Sequence, residues 1–127
     1  MPIDVTRRDG VVILRLSGDF AIGRDHLGKP RDLHGRPMDD LRQTIDDLLS
    51  RREARIVLDL ERVKFIDSAG LGELVACRQR AVALGGDIRI LHARQHVEHV
   101  LVLTLLTDIF VIFHDEEAAV RSFSTTA

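Results

Sequence analysis

Apolar residues along this chain recur with two different periods. VVILRL at 11–16 and IVLDL at 56–60 are near-continuous apolar runs of strand length, and DIRIL at 87–91 alternates. Leu41, Ile45, Leu48 and Leu49 repeat at helical spacing with charges opposite, and Asp39 or Asp40 can cap that helix. LGELVACRQRAVAL places Leu71, Leu74, Val75, Arg78 and Val82 on related helical faces, and Gly85-Gly86 ends the helix. Residues 3–6 read as a short strand joined through Arg8-Asp9-Gly10 to the second strand, an Asp-Gly hairpin signal. Ser17-Gly18-Asp19 closes that second strand.

Farther on, 96–103 reads as a helix and 109–113 as a strand. Asp115 caps a last helix over 116–123, with Glu116 and Glu117 in its favourable first turn. The order is ββαβαβαβα. It predicts one α/β domain over 1–127: a mixed sheet of about five strands covered by helices on at least one face. Val57, Leu58, Leu74 and Val75 are expected in the core. Residues 22–38 hold three glycines and two prolines without periodicity, which predicts a long, weakly packed surface loop.

Composition narrows the function classes. The chain is 45% hydrophobic and 30% charged, as a globular domain is. A net charge of −2 argues against a nucleic-acid-binding face, and five Phe without Trp or Tyr argue against a base-stacking platform. The opening MPIDVTRRDG lacks the apolar core of a secretory signal. The longest apolar stretch, VLVLTLLTDIFVIF, is interrupted by Thr104, Thr107 and Asp108, so no membrane span is expected. A lone Cys77 in a helical pattern reads as a small buried apolar residue. It also fits a cytoplasmic location.

The stretch IVLDLERVKFIDSAGLG, 56–72, carries the main chemical signal. Ser68 stands between Asp67 and the pair Gly70 and Gly72, where a strand gives way to a helix. A serine there is a helix N-cap, or a hydroxyl whose phosphate the helix dipole would accommodate. Gly70 and Gly72 leave room for a partner backbone. A hydrolase elbow would need glycine two residues before the serine, and Ile66 is there instead; His92 and His114 are the remaining triad partners. His92, His96 and His99 lack a metal-site pattern, and His26 and His34 fall in the polar loop, so neither a metal nor a cofactor is expected. Gly-Lys-Ser/Thr is absent, which excludes a Walker-type loop. Arg51, Arg52, Glu53 and Arg55 read as a solvated helix end.

VVILRLSGDF, IVLDLERVKFIDSAGLGELV, GGDIRIL and HVLVLTLLTDIFVIFHDEEAAV together resemble the STAS family, in particular its bacterial anti-sigma-factor antagonists. The resemblance covers nearly the whole chain except 22–38. It implies a non-enzymatic regulator with Ser68 as phospho-acceptor and a partner surface of Asp19, Asp67, Ser68, Ala69, Gly70, Leu71 and Gly72. The implied partners are an anti-sigma factor that is also a serine kinase, and a serine phosphatase. The chain departs from the family pattern at Ala69, where Ser or Thr is common, and at Ala21, where the motif Gly18-Asp19-Phe20-Ala21 has lost its last acid. The alternative within the same family is a module without a switch, acting as a scaffold or as the cytosolic subunit of a lipid-transport system. Ser68 would then only cap its helix.

Overall fold

The computed structural model describes residues 3–20, 23–24, 30–31, 41–66 and 68–124. β1 (Ile3–Arg8) and β2 (Val11–Phe20) form the hairpin, and its turn has Asp9 at φ 53° and Gly10 at φ 79°. Positive φ at both turn residues is the geometry Asp-Gly favours between twisted strands. A two-residue ribbon, β3 (Gly23–Arg24) against β4 (Pro30–Arg31), lies inside the stretch expected to be only loop. The rest of 22–38, and the caps expected at Asp39 or Asp40, lie outside the described residues.

Then follow α1 (Leu41–Ser50), β5 (Arg55–Ile66), α2 (Ser68–Ala83), β6 (Asp87–Leu91), α3 (Gln95–Leu103), a 3-10 turn (Leu106–Asp108), β7 (Ile112–Phe113) and α4 (Glu116–Ser124). The main sheet has the order β1-β2-β5-β6-β7, with β1 antiparallel to β2 and every other pair parallel. It is the mixed five-stranded sheet the alternation predicts.

Period-2 strands with both faces covered explain the apolar runs. Val12, Leu14, Leu16, Ile56, Leu58, Leu60, Ile88 and Ile90 pack under α1, α2 and α3. Val11, Ile13, Val57 and Leu91 pack with Ala119, Val120 and Phe123 of α4. Arg89 reinforces the α4 side: its guanidinium lies 4.0 Å from the centre of the Phe123 ring and donates to Ser122 Oγ.

Four expectations need correction. β2 does not close at 17–19. It runs to Phe20 beside a β5 that continues to Ile66, with register shifts between Arg15 and Ser17 and between Gly18 and Phe20. In α2 the buried face is Leu71, Leu74, Cys77 and Ala81, while Val75 is half-buried and Val82 exposed. The strand expected at 109–113 shrinks to Ile112–Phe113, because Leu105 turns into the left-handed region at φ 61° and the 3-10 turn follows.

The fourth correction concerns the charges around α1's end, which bind rather than simply face water. Glu53 accepts from Arg7 Nε at 2.6 Å and Nη2 at 3.0 Å, and from Arg51 Nε at 3.1 Å, tying α1's end to β1. The bonds from Arg7 first, then Arg51, hold the Glu53 carboxyl down at about 2 instead of its usual 4.5. A carboxylate more acidic folded than unfolded stabilises above its unfolded value, and loses that contribution as pH falls towards the folded one. Wild type is therefore expected to exceed Glu53→Gln in urea midpoint near pH 6, with the gap closing between about pH 4.5 and about pH 2. A gap that stayed constant with pH would contradict the pairing. The gap itself should be modest, since exposed pairs contribute little.

Candidate functional site

In the parallel part of the sheet, β5, β6 and β7 all deliver their following helices at one edge. Ligands and partners of α/β sheets commonly sit along that carboxyl edge. β5 leads into α2, which begins on Ser68 itself. Ser68 therefore stands at the N-terminal end of α2, where the strand–helix passage was expected to place it, and the preceding Asp67 lies outside the described residues. The N–H groups of the first turn and the helix dipole make this an electropositive spot.

β2 brings a second predicted residue to the same edge. Gly18 pairs with Val63 and Phe20 with Ile66, so the backbone of Asp19 runs beside the last turn of β5 before Ser68. Gly70 and Leu71 are buried in the first turns of α2, and Leu71 is 9% exposed. Leu71 therefore belongs to the core more than to a contact surface. Gly72 is exposed, and a Cβ built there would meet nothing within 4 Å. The chain's own packing does not require glycine at 72, and the space above it is open to a partner. Ala69 is the second residue of the helix. Asp19, Ser68, Ala69, Gly70, Leu71 and Gly72 are therefore brought to one edge by two adjacent strands and one helix start.

Two features of this rim escaped the sequence reading. The first is a charge network beneath it. Arg15 of β2 and Asp59 of β5 are direct parallel partners in the ladder. Arg15 Nη1 donates to Asp59 at 3.0 Å, and Asp59 also accepts from the Glu61 N–H at 3.0 Å; the residue is only 4% exposed. Arg15 Nη2 donates to Glu116 at 2.8 Å, and Arg8 Nη1 reaches the same carboxylate at 3.2 Å. The bond from Arg15 is the main reason the Glu116 carboxyl sits below its ordinary range, and Glu116 in turn raises Arg15. The available signal was one charge inside each of two apolar strands, VVILRL and IVLDL.

The second is Arg94, just ahead of α3. Its Nε donates to the Glu61 carbonyl at 2.7 Å. β6 pairs with β5 only from Arg55 to Asp59, so this side chain holds the part of β5 that the ladder leaves open on the way to Ser68. No sequence pattern would have marked it.

Of the histidines weighed as triad or metal partners, His26 and His34 lie outside the described residues. His92 directly follows β6 at φ 56°, and His114 follows β7 with Nε2 3.7 Å from Glu98. Among the described residues no three His, Cys, Asp or Glu are placed to hold a metal ion. Cys77 is fully buried, and burial pushes its thiol up to about 11. Among the described residues no helix is long and apolar enough to cross a membrane.

Comparison with known proteins gives this rim a context. The STAS domain family matches residues 34–119. The anti-sigma F factor antagonist of Paenibacillus polymyxa is 28% identical over 128 residues, spanning 100% of this chain and 98% of that one. The Thermotoga maritima protein TM1081 is 26% identical with a TM-score of 0.78, covering 96% of this chain and 94% of its own. SpoIIAA of Bacillus, solved in its phosphorylated form, shares the fold at a TM-score of 0.65 and 20% identity, covering 95% of this chain and 99% of its own. A family match that spans most of the chain, laid over the same strand and helix order, leaves one assignment: this chain belongs to the STAS domain family.

Proposed function

We propose that this chain is a cytoplasmic anti-sigma-factor antagonist, a binding module switched by phosphorylation of Ser68. The observation that carries the proposal is the position of Ser68: first residue of α2, on the carboxyl edge, with Asp19's strand beside it and open space over Gly72. Two likenesses support it. A relative matched end to end is named an anti-sigma F factor antagonist, and a protein of the same fold has been solved phosphorylated.

In this reading the unphosphorylated rim docks on an anti-sigma factor and releases the sigma factor. The anti-sigma factor is itself a serine kinase: Ser68 Oγ attacks the γ-phosphorus of ATP, and ADP leaves. The phosphate adds about −1.5 to −2 charges where a partner surface had packed. Asp67, next to Ser68 in sequence, and Asp19, whose strand runs beside the end of β5, each bring a further negative charge, while the start of α2 keeps the phosphate tolerable in the free protein. A serine phosphatase restores the binding form.

The test is a pull-down of the cognate anti-sigma factor with three baits, alongside incubation with that kinase and ATP. Ser68→Ala should bind constitutively and take up no phosphate. Its stability should fall by no more than about 1 kcal/mol, the loss expected where a serine hydroxyl caps its helix. Ser68→Asp should bind more weakly than wild type, and less weakly than the phosphoprotein, because a carboxylate carries less charge. Phosphate mapping to Thr44, Ser50 or Thr107, or undiminished binding by Ser68→Asp, would reject the switch in favour of a non-switching STAS module.

A further inference from the structure

β1 ends the sheet and, among the described residues, pairs only with β2. Asp4, Val5, Thr6, Arg7 and Arg8 are all exposed, with Val5 at 41%. The strand has neither proline nor bulge between Ile3 and Arg8. Such an edge is a template for another strand unless something guards it. We propose that β1 takes β1 of a second copy, antiparallel about a two-fold axis through Thr6, joining two sheets into one. The inference is independent of the Ser68 reading.

The hairpin turn fixes which groups face outward. A two-residue loop between Arg8 and Val11 makes that pair the closing hydrogen-bonded one. The backbone groups of Arg8, Thr6 and Asp4 then point at β2, and those of Arg7 and Val5 point out. Side chains alternate between the sheet's two faces. Arg7 reaches Glu53 on the α1 side, and Arg8 reaches Glu116 of α4. Asp4, Thr6 and Arg8 therefore share the α4 face.

An antiparallel two-fold pairing keeps faces matched, so residues directly opposite must share a face. With the axis at Thr6, Val5 and Arg7 of each copy exchange backbone bonds with Arg7 and Val5 of the other. Thr6 meets Thr6, and Asp4 meets the second copy's Arg8 twice. These are non-hydrogen-bonded positions, where side chains approach most closely, and opposite charges and Thr–Thr pairs both favour such positions.

Asp4 has no side-chain partner among the described residues. Arg8 is 43% exposed beside Glu116 and, with five N–H donors, can hold both carboxylates. Moving the axis to Val5 would set Asp4 opposite Thr6 and lose both ion pairs. The charge pattern of IDVTRR therefore picks out one self-pairing register.

A single strand pair buries less than the roughly 1,200 Å² of a standard interface, so the dimer should be weak and concentration-dependent. Sedimentation velocity on the full chain, from about 10 µM to about 1 mM at low salt, should show monomer passing to dimer. Asp4→Arg sets two guanidinium groups opposite each other, one of them that of Arg8, and Arg8→Asp sets acid against acid. Each alone should weaken association about tenfold or more. Mixed together they should form a heterodimer, since both cross-pairs then carry matched charges: two basic side chains on one copy face two acids on the other. Val5→Pro removes an outward N–H without breaking a β1–β2 bond and should stay folded yet monomeric, with circular dichroism melts confirming that every variant is folded. Wild type that stays monomeric at the highest concentration, Asp4→Arg that dimerises like wild type, or a mixture that forms no heterodimer would each overturn the proposal.

Discussion

Gly86→Ala is expected to lower the unfolding free energy by about 3 kcal/mol or more, at or beyond the upper end of overpacking costs. The new Cβ would lie 2.0 Å from the Ala54 carbonyl oxygen, 2.5 Å from its carbon and 2.6 Å from its Cβ. What it meets is mostly backbone, which cannot swing aside as a side chain would. That backbone is also committed: the Ala54 carbonyl accepts from the Asp87 N–H at 3.0 Å, where β6 begins its pairing with β5. Gly86 also completes the end of α2. Its N–H reaches the Ala81 carbonyl, and Gly85, at φ 82°, reaches that of Val82. This pair of bonds is the Schellman motif, and it stops the helix where β6 must start. Urea unfolding of Gly86→Ala beside Gly72→Ala separates space from glycine content. Gly72 lies in the helix with room for a Cβ, so Gly72→Ala should be near neutral or stabilising by up to about 1 kcal/mol. Equal losses at both positions would contradict this account.

The Gly85-Gly86 stop was legible because glycine at a helix end has one dominant cause. The same held for Asp115, whose carboxylate accepts the Ala118 N–H at 3.0 Å as a cap should. The order of strands and helices was legible because both faces of the central strands are covered, which turns β5 and β2 into apolar runs. Where the pattern misled, the reason is visible in the residues. In VLVLTLLTDIFVIF the leucines look alike, yet Leu103 and Leu105 are 68% and 69% exposed while Leu101 and Phe110 are buried. Hydrophobicity alone does not say which way a left-handed residue such as Leu105 sends the chain.

The candidate site is legible in its serine and less so in the contacts that support the rim. Ser68 stands out because an acid, a hydroxyl and two glycines interrupt a strand–helix passage. Asp19 becomes its neighbour only through parallel pairing of strands far apart in the chain, and Arg94 reaches β5 through a contact no spacing rule encodes. Leu71 was placed on the partner surface by resemblance and turns out to serve the core.

Leu74→Ala is expected to cost about 2–5 kcal/mol, the range for emptying a filled core position. Leu74 is 0% exposed and packs in the cluster that joins α2 to the faces of β2, β5 and β6. Leu58, also 0% exposed in the central strand, should cost as much. Val82, on the same helix and drawn from the same periodic pattern, is 44% exposed. Val82→Ala should fall within about 0.5 kcal/mol of wild type, since it leaves no cavity and alanine favours the helix. The difference follows from helix geometry. Leu71, Leu74, Cys77 and Ala81 are spaced three, three and four apart and form one stripe, and Val82 sits about 100° away from Ala81. Equilibrium urea unfolding of the three variants with unchanged slopes decides it. A loss under about 1 kcal/mol at Leu74 would mean that α2 does not press its Leu74 face into the core. The helix that presents Ser68 would then be anchored through some other face.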